Sequence, residues 1–175
     1  MDLDKIIQFK IELKDYPTHV DNPNYTFKTI TTNNIDSFKN DILQVVEYHH
    51  MDLNWDGIPN YNTILHRLEF GSKMDLWIKS DKVVGWHWYN TQCVTLDWKS
   101  TYQPLKEAEM YGGSAFLSST EKGFPSPAYE FYLRGMKKNL IDEKKDIMYL
   151  YIDSWNIKSI KLVEKVGMER FDFIK

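Results

Sequence analysis

The chain has 175 residues, of which 42% are hydrophobic and 27% charged, and this composition predicts one globular domain with a substantial core. The formal net charge of −3 and the lack of a basic tract argue against nucleic acid as a partner, because nucleic-acid binding depends on neutralising phosphates. No apolar run reaches the ~18 residues of a membrane span, the first residues lack a signal-peptide pattern, and the single Cys93 cannot form an internal disulfide, so we expect a cytoplasmic protein.

Alternation of apolar and polar residues predicts strands along the chain, and apolar positions three or four apart predict helices. In chain order these are a strand at 25–30, helices that carry residues 38–46 and 64–68, strands at 76–79, 83–89 and 110–117, a helix at 127–139, a strand at 147–152, a helix at 156–166 and a strand at 171–174. The order β-α-α-β-β-β-α-β-α-β predicts a mixed α/β domain over residues 25–175. Residues 1–24 are interpreted as an N-terminal arm or, from the alternation between Phe9 and Leu13, as an extra strand.

Two local signals refine this pattern. Gly112 and Gly113 lie together inside a predicted strand, which indicates a β-bulge or a close approach of another backbone. Asn156 is a good residue to cap the last helix, and Gly167 is a typical residue to end it.

Residues 151–168 resemble the closing motif of the GNAT superfamily of N-acetyltransferases, a strand followed by Asn-x-x-Ser/Ala-x-x-Leu-x-Glu-Lys-x-Gly-Phe. The matching residues are Asn156, Ser159, Leu162, Glu164, Lys165 and Gly167, with Met168 in place of Phe. The element order is also that of the family, so the resemblance covers residues 25–175 and implies a mostly antiparallel central sheet flanked by helices. It implies transfer of an acetyl group from acetyl-CoA to a primary amine. An ordinary capped amphipathic helix is the competing interpretation of the motif alone.

The resemblance also implies a site for acetyl-CoA. In the family, backbone N–H groups in the turn after the central strand hold the pyrophosphate, and a free N–H on that strand contacts the thioester oxygen. Here the pattern Gln/Arg-x-x-Gly-x-Gly/Ala is matched at Gly123 only, because Thr120 replaces the first residue and Pro125, which has no N–H, replaces the last. The residues implied in cofactor binding are Phe116, Leu117, Ser118, Thr120, Lys122, Gly123, Phe124, Ser126, Asn156 and Ser159. A polar loop before a helix is the competing interpretation of this turn.

Three residues are candidates to accept the amine proton or to contact the substrate. Glu109, with Glu107 as second choice, lies upstream of the turn where the family often carries a base, although a solvated surface charge fits equally well. His87 lies between two tryptophans on a strand expected to flank the acceptor cleft, and a structural role is its competing interpretation. His50 closes the first helix, a region that shapes the acceptor pocket in many family members.

The proton donor to the leaving thiol is less clearly marked. The family's usual tyrosine is replaced by Val163, which leaves Tyr151, Ser154 or Tyr111 as substitutes, or a thiolate that departs unassisted. An acyl carrier at Cys93 is disfavoured, because nothing in the sequence around it marks an activated thiolate.

The acceptor and the partners remain open at this stage. A nucleotide-linked amino sugar is the preferred small-molecule acceptor, from the aromatic content of 15%, the histidines and the altered phosphate turn, while another small amine or a protein amine stays open. The alternatives are a GNAT-like module that binds CoA without catalysis and an unrelated α+β domain. We expect no metal site, no nucleic-acid or membrane partner, and either a homodimer or fusion to another domain. Family members often carry one more strand after Met168, which residues 6–13, a partner chain or a longer protein would supply.

Overall fold

The computed structural model describes residues 6–17, 25–52, 61–94, 103–117 and 135–172. Its strands are β1 (Ile6–Glu12), β2 (Thr26–Ile30), β3 (Ser72–Lys79), β4 (Lys82–Asn90), β5 (Glu109–Leu117), β6 (Ile147–Asp153) and β7 (Glu169–Arg170). Its helices are α1 (Lys39–Asp52), α2 (Tyr61–Glu69), α3 (Lys137–Asp142) and α4 (Ile157–Val166), with short 3-10 turns at Leu13–Asp15 and Ile35–Phe38. The described strands form one sheet in the order β2-β3-β4-β5-β6-β1-β7.

The predicted fold class is confirmed. Neighbouring strands pair antiparallel throughout the sheet except for β5 and β6, which run parallel. The parallel pair is connected through helix α3, as such a pair requires, because a parallel connection must cross from one end of the sheet to the other. The chain is therefore a mixed α/β domain with a mostly antiparallel sheet and helices on its faces.

Alternation along strand β4 divides the core into two layers. Trp86 and Trp88 pack with apolar residues of α1 and α2 on one face of the sheet. Val84 and Tyr89 pack on the other face with apolar residues of α3 and α4. We call these the α1–α2 face and the α3–α4 face. Because side chains alternate along a strand, His87 belongs to the α3–α4 face.

The N-terminal residues supply a strand inside the sheet. Strand β1 lies between β6 and β7, with Ile6 opposite Asp153 and Glu12 opposite Ile147. Its side chains Phe9 and Ile11 are buried in the core of the α3–α4 face. Of the three sources considered for a further strand, residues 6–12 therefore provide one beside β6.

Helix α4 has the ends predicted for it. The Asn156 Oδ1 accepts the backbone N–H of Ser159 at 3.2 Å, which satisfies one of the unpaired donors of the first turn. Gly167 adopts a left-handed conformation with φ of 100°, and its N–H and that of Met168 donate to the carbonyls of Glu164 and Val163 at 3.0 Å each. This pair of bonds is the Schellman motif, and it explains why glycine stands at that position.

Some boundaries differ from the predictions. The last strand within the described residues is β7 at Glu169–Arg170, which lies before the predicted strand 171–174, and residues 173–174 of that prediction lie outside the described residues. Outside the named strands, Cys93 makes an isolated antiparallel bridge to Pro104. The described part of the predicted helix 127–139 begins with a π-helical turn at Gly135 and continues as α3. No helix in the described ranges is both long and apolar enough to cross a membrane.

Candidate active site

Strands β5 and β6 pair along only part of their length. Residues 109–112 of β5 lie opposite residues 147–150 of β6, and the pairing stops there although the strands continue to Leu117 and Asp153. No other described strand pairs with β5 on that side. We call the opening beyond Gly112 and Leu150 the strand gap. Backbone N–H and C=O groups that face it have no partner from the sheet and suit a ligand that hydrogen-bonds like a strand.

A β-bulge in the β4–β5 pair marks the point where the gap opens. His87 lies opposite Ala115 and Tyr89 opposite Gly112, so Trp88 alone faces the two residues 113 and 114. A Cβ atom on Gly113 would lie 3.0 Å from the Trp88 Cβ and 3.2 Å from its carbonyl oxygen. The bulge and the close approach expected from the paired glycines are therefore both present. A bulge increases the local twist of its strand, which here carries β5 away from β6.

The two residues expected to offer a thioester contact lie along this gap. Phe116 and Leu117 are opposite Trp86 and Gly85 of β4, in the part of β5 that β6 no longer accompanies. The Phe116 ring stacks on Trp86 with centroids 4.3 Å apart, which fixes this part of β5. Their role in binding a thioester stays a prediction.

A cluster of polar aromatic residues and one arginine lies over the gap on the α1–α2 face. Tyr151 is the first residue of β6 beyond the paired region, and its ring stacks on Tyr111 of β5 with centroids 5.9 Å apart. From helix α2, the guanidinium carbon of Arg67 lies 4.3 Å from the centre of the Trp88 ring. Trp88 faces the bulge, so Trp88, Tyr111 and Tyr151 flank the opening from three successive strands, and Arg67 lies over Trp88 from α2.

Burial adjusts the acid–base behaviour of this cluster. Burial lowers the pKa of Arg67 to about 10, and the nearby hydroxyls of Tyr111 and Tyr151 act in the opposite direction. Burial is the main cause that raises the pKa of Tyr111 well above its ordinary value. The charge of Tyr151 and its hydrogen bond with Tyr111 also raise this pKa, whereas the charge of Arg67 lowers it. At neutral pH the cluster therefore holds a cationic arginine and a protonated Tyr111.

Glu109 lies at the paired end of β5, on the same face. Its Oε1 accepts the Tyr149 hydroxyl at 3.1 Å, and its Oε2 accepts the backbone N–H of Lys106 at 2.9 Å. The residue is only 8% exposed, so the interpretation as a solvated surface charge is wrong. Glu109 precedes Gly113 by four residues, or ~13 Å along the strand, so it can take a proton from the gap only through a chain of several water molecules.

His87 does not lie with these residues. The pattern Trp86-His87-Trp88 places both tryptophans on the α1–α2 face, and the imidazole is completely buried beneath α3 on the opposite face. From its strand, His87 was expected to flank an acceptor cleft, but it lies in the core instead. Its competing structural interpretation fits this placement.

The His87 ring belongs to a buried polar cluster that joins the sheet to α3. The Trp77 Nε1–H donates to the His87 Nδ1 at 3.4 Å, and since that nitrogen accepts, a neutral ring carries its proton on Nε2. The Asn139 Nδ2 lies 2.6 Å from this Nε2, so the bond needs the amide turned to present its oxygen. The Asp75 Oδ2 lies 3.5 Å from the same atom, and the Asp75 Oδ1 accepts the Thr29 hydroxyl at 2.6 Å.

Acidification is expected to destabilise the fold through His87. Burial lowers its pKa below the ordinary 6.5, with Asp75 acting in the opposite direction, so below that pH the unfolded chain binds a proton that the folded chain excludes. The contribution to stability is complete above about pH 6.5 and falls as the pH drops toward the folded-state pKa, by up to ~1.4 kcal/mol per pH unit. Urea unfolding between about pH 7.5 and 5 measures this slope. A slope in His87→Gln as steep as in the parent chain would contradict the assignment.

The remaining predicted site residues divide into three groups. Ser118, Thr120, Lys122, Gly123, Phe124 and Ser126 lie outside the described residues, and the side chain of His50, in α1, is also outside them. Asn156 and Ser159 are joined in the cap of α4. Val163, at the position of the family's tyrosine, is completely buried in the core. Burial raises the pKa of the Cys93 thiol, which disfavours the thiolate that an acyl carrier would need and agrees with the prediction against that role.

Sequence reasoning missed Arg67, Asp75 and Asn139. Arg67 follows Ile64 by three residues and precedes Leu68, so it lies within the apolar stripe of α2, where an arginine is unusual. Asp75 is a charged residue inside a strand and lies directly opposite His87. These two signals are present in the sequence, whereas nothing local marks Asn139.

Comparison with known proteins identifies the fold. A scan against protein-family models and a search of curated proteins find no match. Among solved structures, a tandem GNAT protein from the clavulanic acid biosynthesis pathway, without AcCoA, has a TM-score of 0.61 at 12% identity, over 95% of this chain and 50% of its own. An aminoglycoside acetyltransferase from an uncultured soil metagenomic sample, in complex with trehalose, has a TM-score of 0.57 at 8% identity, over 87% of this chain and 93% of its own. A possible acetyltransferase from Clostridium difficile 630 has a TM-score of 0.53 at 16% identity, over 86% of this chain and 94% of its own.

These likenesses show the fold. At identities of 8–16%, the chain shares the GNAT arrangement of sheet and helices with proteins named as acetyltransferases. It spans about half the length of the tandem protein.

Proposed function

We propose that the chain transfers an acetyl group from acetyl-CoA to a primary amine at the strand gap. The observation that carries this proposal is the parallel pair that stops at Gly112 and Leu150 while both strands continue. The pantetheine arm of CoA contains two amides, so it can hydrogen-bond to an open strand edge as a peptide does. The GNAT fold of the chain and the closing motif on α4 support the same reaction class.

The chain's own groups suit the steps of this reaction. A neutral amine attacks the thioester carbon and forms the C–N bond, while a backbone N–H at Phe116 or Leu117 stabilises the charge on the thioester oxygen. Glu109 takes the proton from the amine through water. The C–S bond then breaks, and Tyr151 gives its proton to the departing sulfur, so that the products are an amide and a free thiol. Glu109 then releases its proton to solvent and Tyr151 regains one, which closes the cycle.

For the acceptor, a nucleotide-linked amino sugar remains our preferred proposal. The partly exposed Tyr151 ring at the gap, which stacks on the buried Tyr111, offers a stacking surface to a sugar or a base. A similar structure is named as an aminoglycoside acetyltransferase and holds trehalose, which is a sugar ligand in that protein.

Two measurements on the full chain test the reaction. Calorimetric titration with acetyl-CoA should give a saturable binding curve, and a free-thiol assay should show release of CoA when amines are added. Hydrogen exchange should then locate the site: those amides of residues 113–117 that face the gap rather than β4 should slow on addition of CoA, while the amides of residues 109–112, which β4 and β6 flank on both sides, should not change. Binding without protection of residues 113–117 would argue against the strand gap.

The competing proposal is a module that binds CoA without catalysis. The buried Val163 at the position of the family's tyrosine favours it, because no hydroxyl stands there. Saturable CoA binding together with no thiol release from any amine would support this alternative. No CoA binding would reject both.

A further inference from the structure

An exposed tryptophan lies at the mouth of the strand gap. Strands β5 and β6 run parallel and end at Leu117 and Asp153, so the gap opens at the edge of the sheet where both strands end. Trp155 follows Asp153 by two residues, in the turn between β6 and α4. It is 70% exposed, whereas the other tryptophans in the described ranges are buried.

The turn holds this tryptophan through its backbone. The Asn156 N–H donates to the Asp153 carbonyl at 2.9 Å, and the Ile157 N–H donates to the Trp155 carbonyl at 3.0 Å. The backbone is therefore fixed while most of the ring remains in water, together with the neighbouring Ile157, which is 53% exposed. A large aromatic side chain stabilises a fold mainly by its burial, so this placement favours a ligand for the ring over a structural role.

The shape of the gap determines which part of a CoA donor meets this ring. A ligand that replaces strand pairing must be as slender as an extended chain, which the pantetheine arm is and adenosine is not. Pairing of residues 109–112 with residues 147–150 closes the other end of the gap. The nucleotide end of the donor therefore lies outside the mouth, where an exposed aromatic ring can stack on the flat face of a base.

Positive charges accompany the ring on the first turns of α4. Lys158 and Lys161 are both exposed, and residues three apart on a helix are neighbours. Within the described part of the chain neither lysine forms an ion pair, and the acidic Glu164 of the same helix is paired with Arg170 at 2.9 Å. The surface beside Trp155 therefore attracts anions, and the nucleotide end of CoA carries phosphates on both sides of its ribose.

We infer that Trp155 stacks on the adenine of the acetyl donor, while Lys158 and Lys161 attract its 3′-phosphate. This inference rests on the proposed function and deepens it, because it makes the nucleotide end part of what the chain recognises. Trp155 is in this sense a specificity-determining residue for the donor, remote from the reacting atoms.

Ligands that differ only at the nucleotide end test the inference by calorimetry. CoA, dephospho-CoA and 4′-phosphopantetheine share the arm, and the last two lack the 3′-phosphate and the adenosine end respectively. In Trp155→Ala we expect the Kd for CoA to rise by roughly fivefold to a hundredfold, as for the loss of one base–aromatic stack. The Kd for 4′-phosphopantetheine should stay unchanged in this variant, and Trp155→Phe should retain part of the affinity for CoA.

A matched control and a spectroscopic readout accompany these titrations. Leu43→Ala also removes an exposed apolar side chain, 49% exposed on α1, and should leave both dissociation constants unchanged. The difference in fluorescence between the parent and Trp155→Phe reports on Trp155 itself. CoA should protect this emission from quenching by acrylamide, and 4′-phosphopantetheine should not.

The lysines are tested by a double variant. Lys158→Gln combined with Lys161→Gln should remove the preference of the parent for CoA over dephospho-CoA, and rising salt should weaken that preference in the parent, because exposed charges are screened. Equal affinity of the parent for the two ligands would overturn the assignment of the lysines.

Three results would overturn the role of Trp155 while the proposed function stands. These are an unchanged affinity of Trp155→Ala for CoA, an equal loss for CoA and 4′-phosphopantetheine, or a Trp155→Ala chain that loses only self-association in sedimentation. The last result would assign the exposed patch to a second copy of the chain. A parent chain that binds no CoA overturns the proposed function, and the inference with it.

Discussion

Replacing Asp75 with alanine is expected to lower the free energy of unfolding by about 2–5 kcal/mol. Its carboxylate is completely buried between the sheet and α3, where it accepts the Thr29 hydroxyl and approaches the His87 Nε2. Alanine removes both acceptors at once. The Thr29 hydroxyl then loses this acceptor where water does not reach, at a cost of ~1–3 kcal/mol, and the volume that the carboxylate leaves empty adds to the loss, while the His87 Nε2–H keeps its bond to Asn139.

The two oxygens of this carboxylate do not contribute equally. The Asp75 Oδ2 has no hydrogen-bond donor among the described residues, and its distance of 3.5 Å from His87 is long for a hydrogen bond. The short bond from Thr29 to Oδ1 is therefore the better-formed contact. Thr29→Val, which removes this bond and keeps the volume, should reproduce roughly half of the loss.

Urea unfolding of three variants measures these contributions. Asp142→Ala is the matched control, because this exposed aspartate pairs with Lys138 on the surface of α3 and should change stability by less than ~1 kcal/mol. The free energies of unfolding of Asp75→Ala and Thr29→Val should both be well below that of Asp142→Ala. If Asp75→Ala is as stable as Asp142→Ala, the buried cluster does not hold α3 to the sheet.

The buried cluster around Asp75 and His87 matters for the site because it contacts helix α3, and α3 follows the predicted pyrophosphate turn along the chain. A Cβ on Gly135, in the π-helical turn before α3, would lie 3.1 Å from the Trp77 ring and 3.2 Å from the His87 ring. This close contact sets the helix directly on the cluster. Gly135 follows, along the chain, the turn that the sequence assigns to the pyrophosphate, so Asp75 and His87 stabilise the start of the helix after that turn and lie too deep in the core to contact a substrate.

The sequence was sufficient for the elements and their order, because these depend on local patterns. The pair Gly112-Gly113 predicted the bulge, since a side chain at Gly113 would press against Trp88. Asn156 and Gly167 predicted the ends of α4 for equally local reasons. Which strands become neighbours depends on contacts between distant residues, so the insertion of β1 between β6 and β7 had no local signature.

The site was harder to predict than the fold, because function depends on which face a side chain occupies. Alternation shows that His87 points away from Trp86 and Trp88, but only the packing of the helices shows which face lies open to the strand gap. Glu109 is buried by Tyr149, forty residues away in sequence, so its polar character alone suggested the surface. Arg67 was missed for a similar reason, because its neighbours Trp88, Tyr111 and Tyr151 come from three different strands.

Replacing Tyr151 with phenylalanine is expected to lower kcat for acetyl transfer by about a hundredfold or more, with little change in the affinity for acetyl-CoA. Tyr151 is the first residue of β6 beyond the pairing with β5, and the proposed mechanism assigns its hydroxyl to protonate a sulfur held in the gap. Tyr111, which stacks on it and keeps its own proton, supports that orientation. Steady-state rates of thiol release and calorimetry with acetyl-CoA separate the two effects.

The matched control for this variant removes a tyrosine hydroxyl from the opposite face. Tyr89 donates to Glu143 on the α3–α4 face, so Tyr89→Phe should cost about 1 kcal/mol of stability and leave kcat within twofold of the parent. In Tyr151→Phe, the alkaline limb of the pH–rate profile should also disappear if this hydroxyl supplies the proton. An unchanged kcat and an unchanged profile would mean that the thiolate leaves without Tyr151, and the proton donor would then have to be sought elsewhere along the gap.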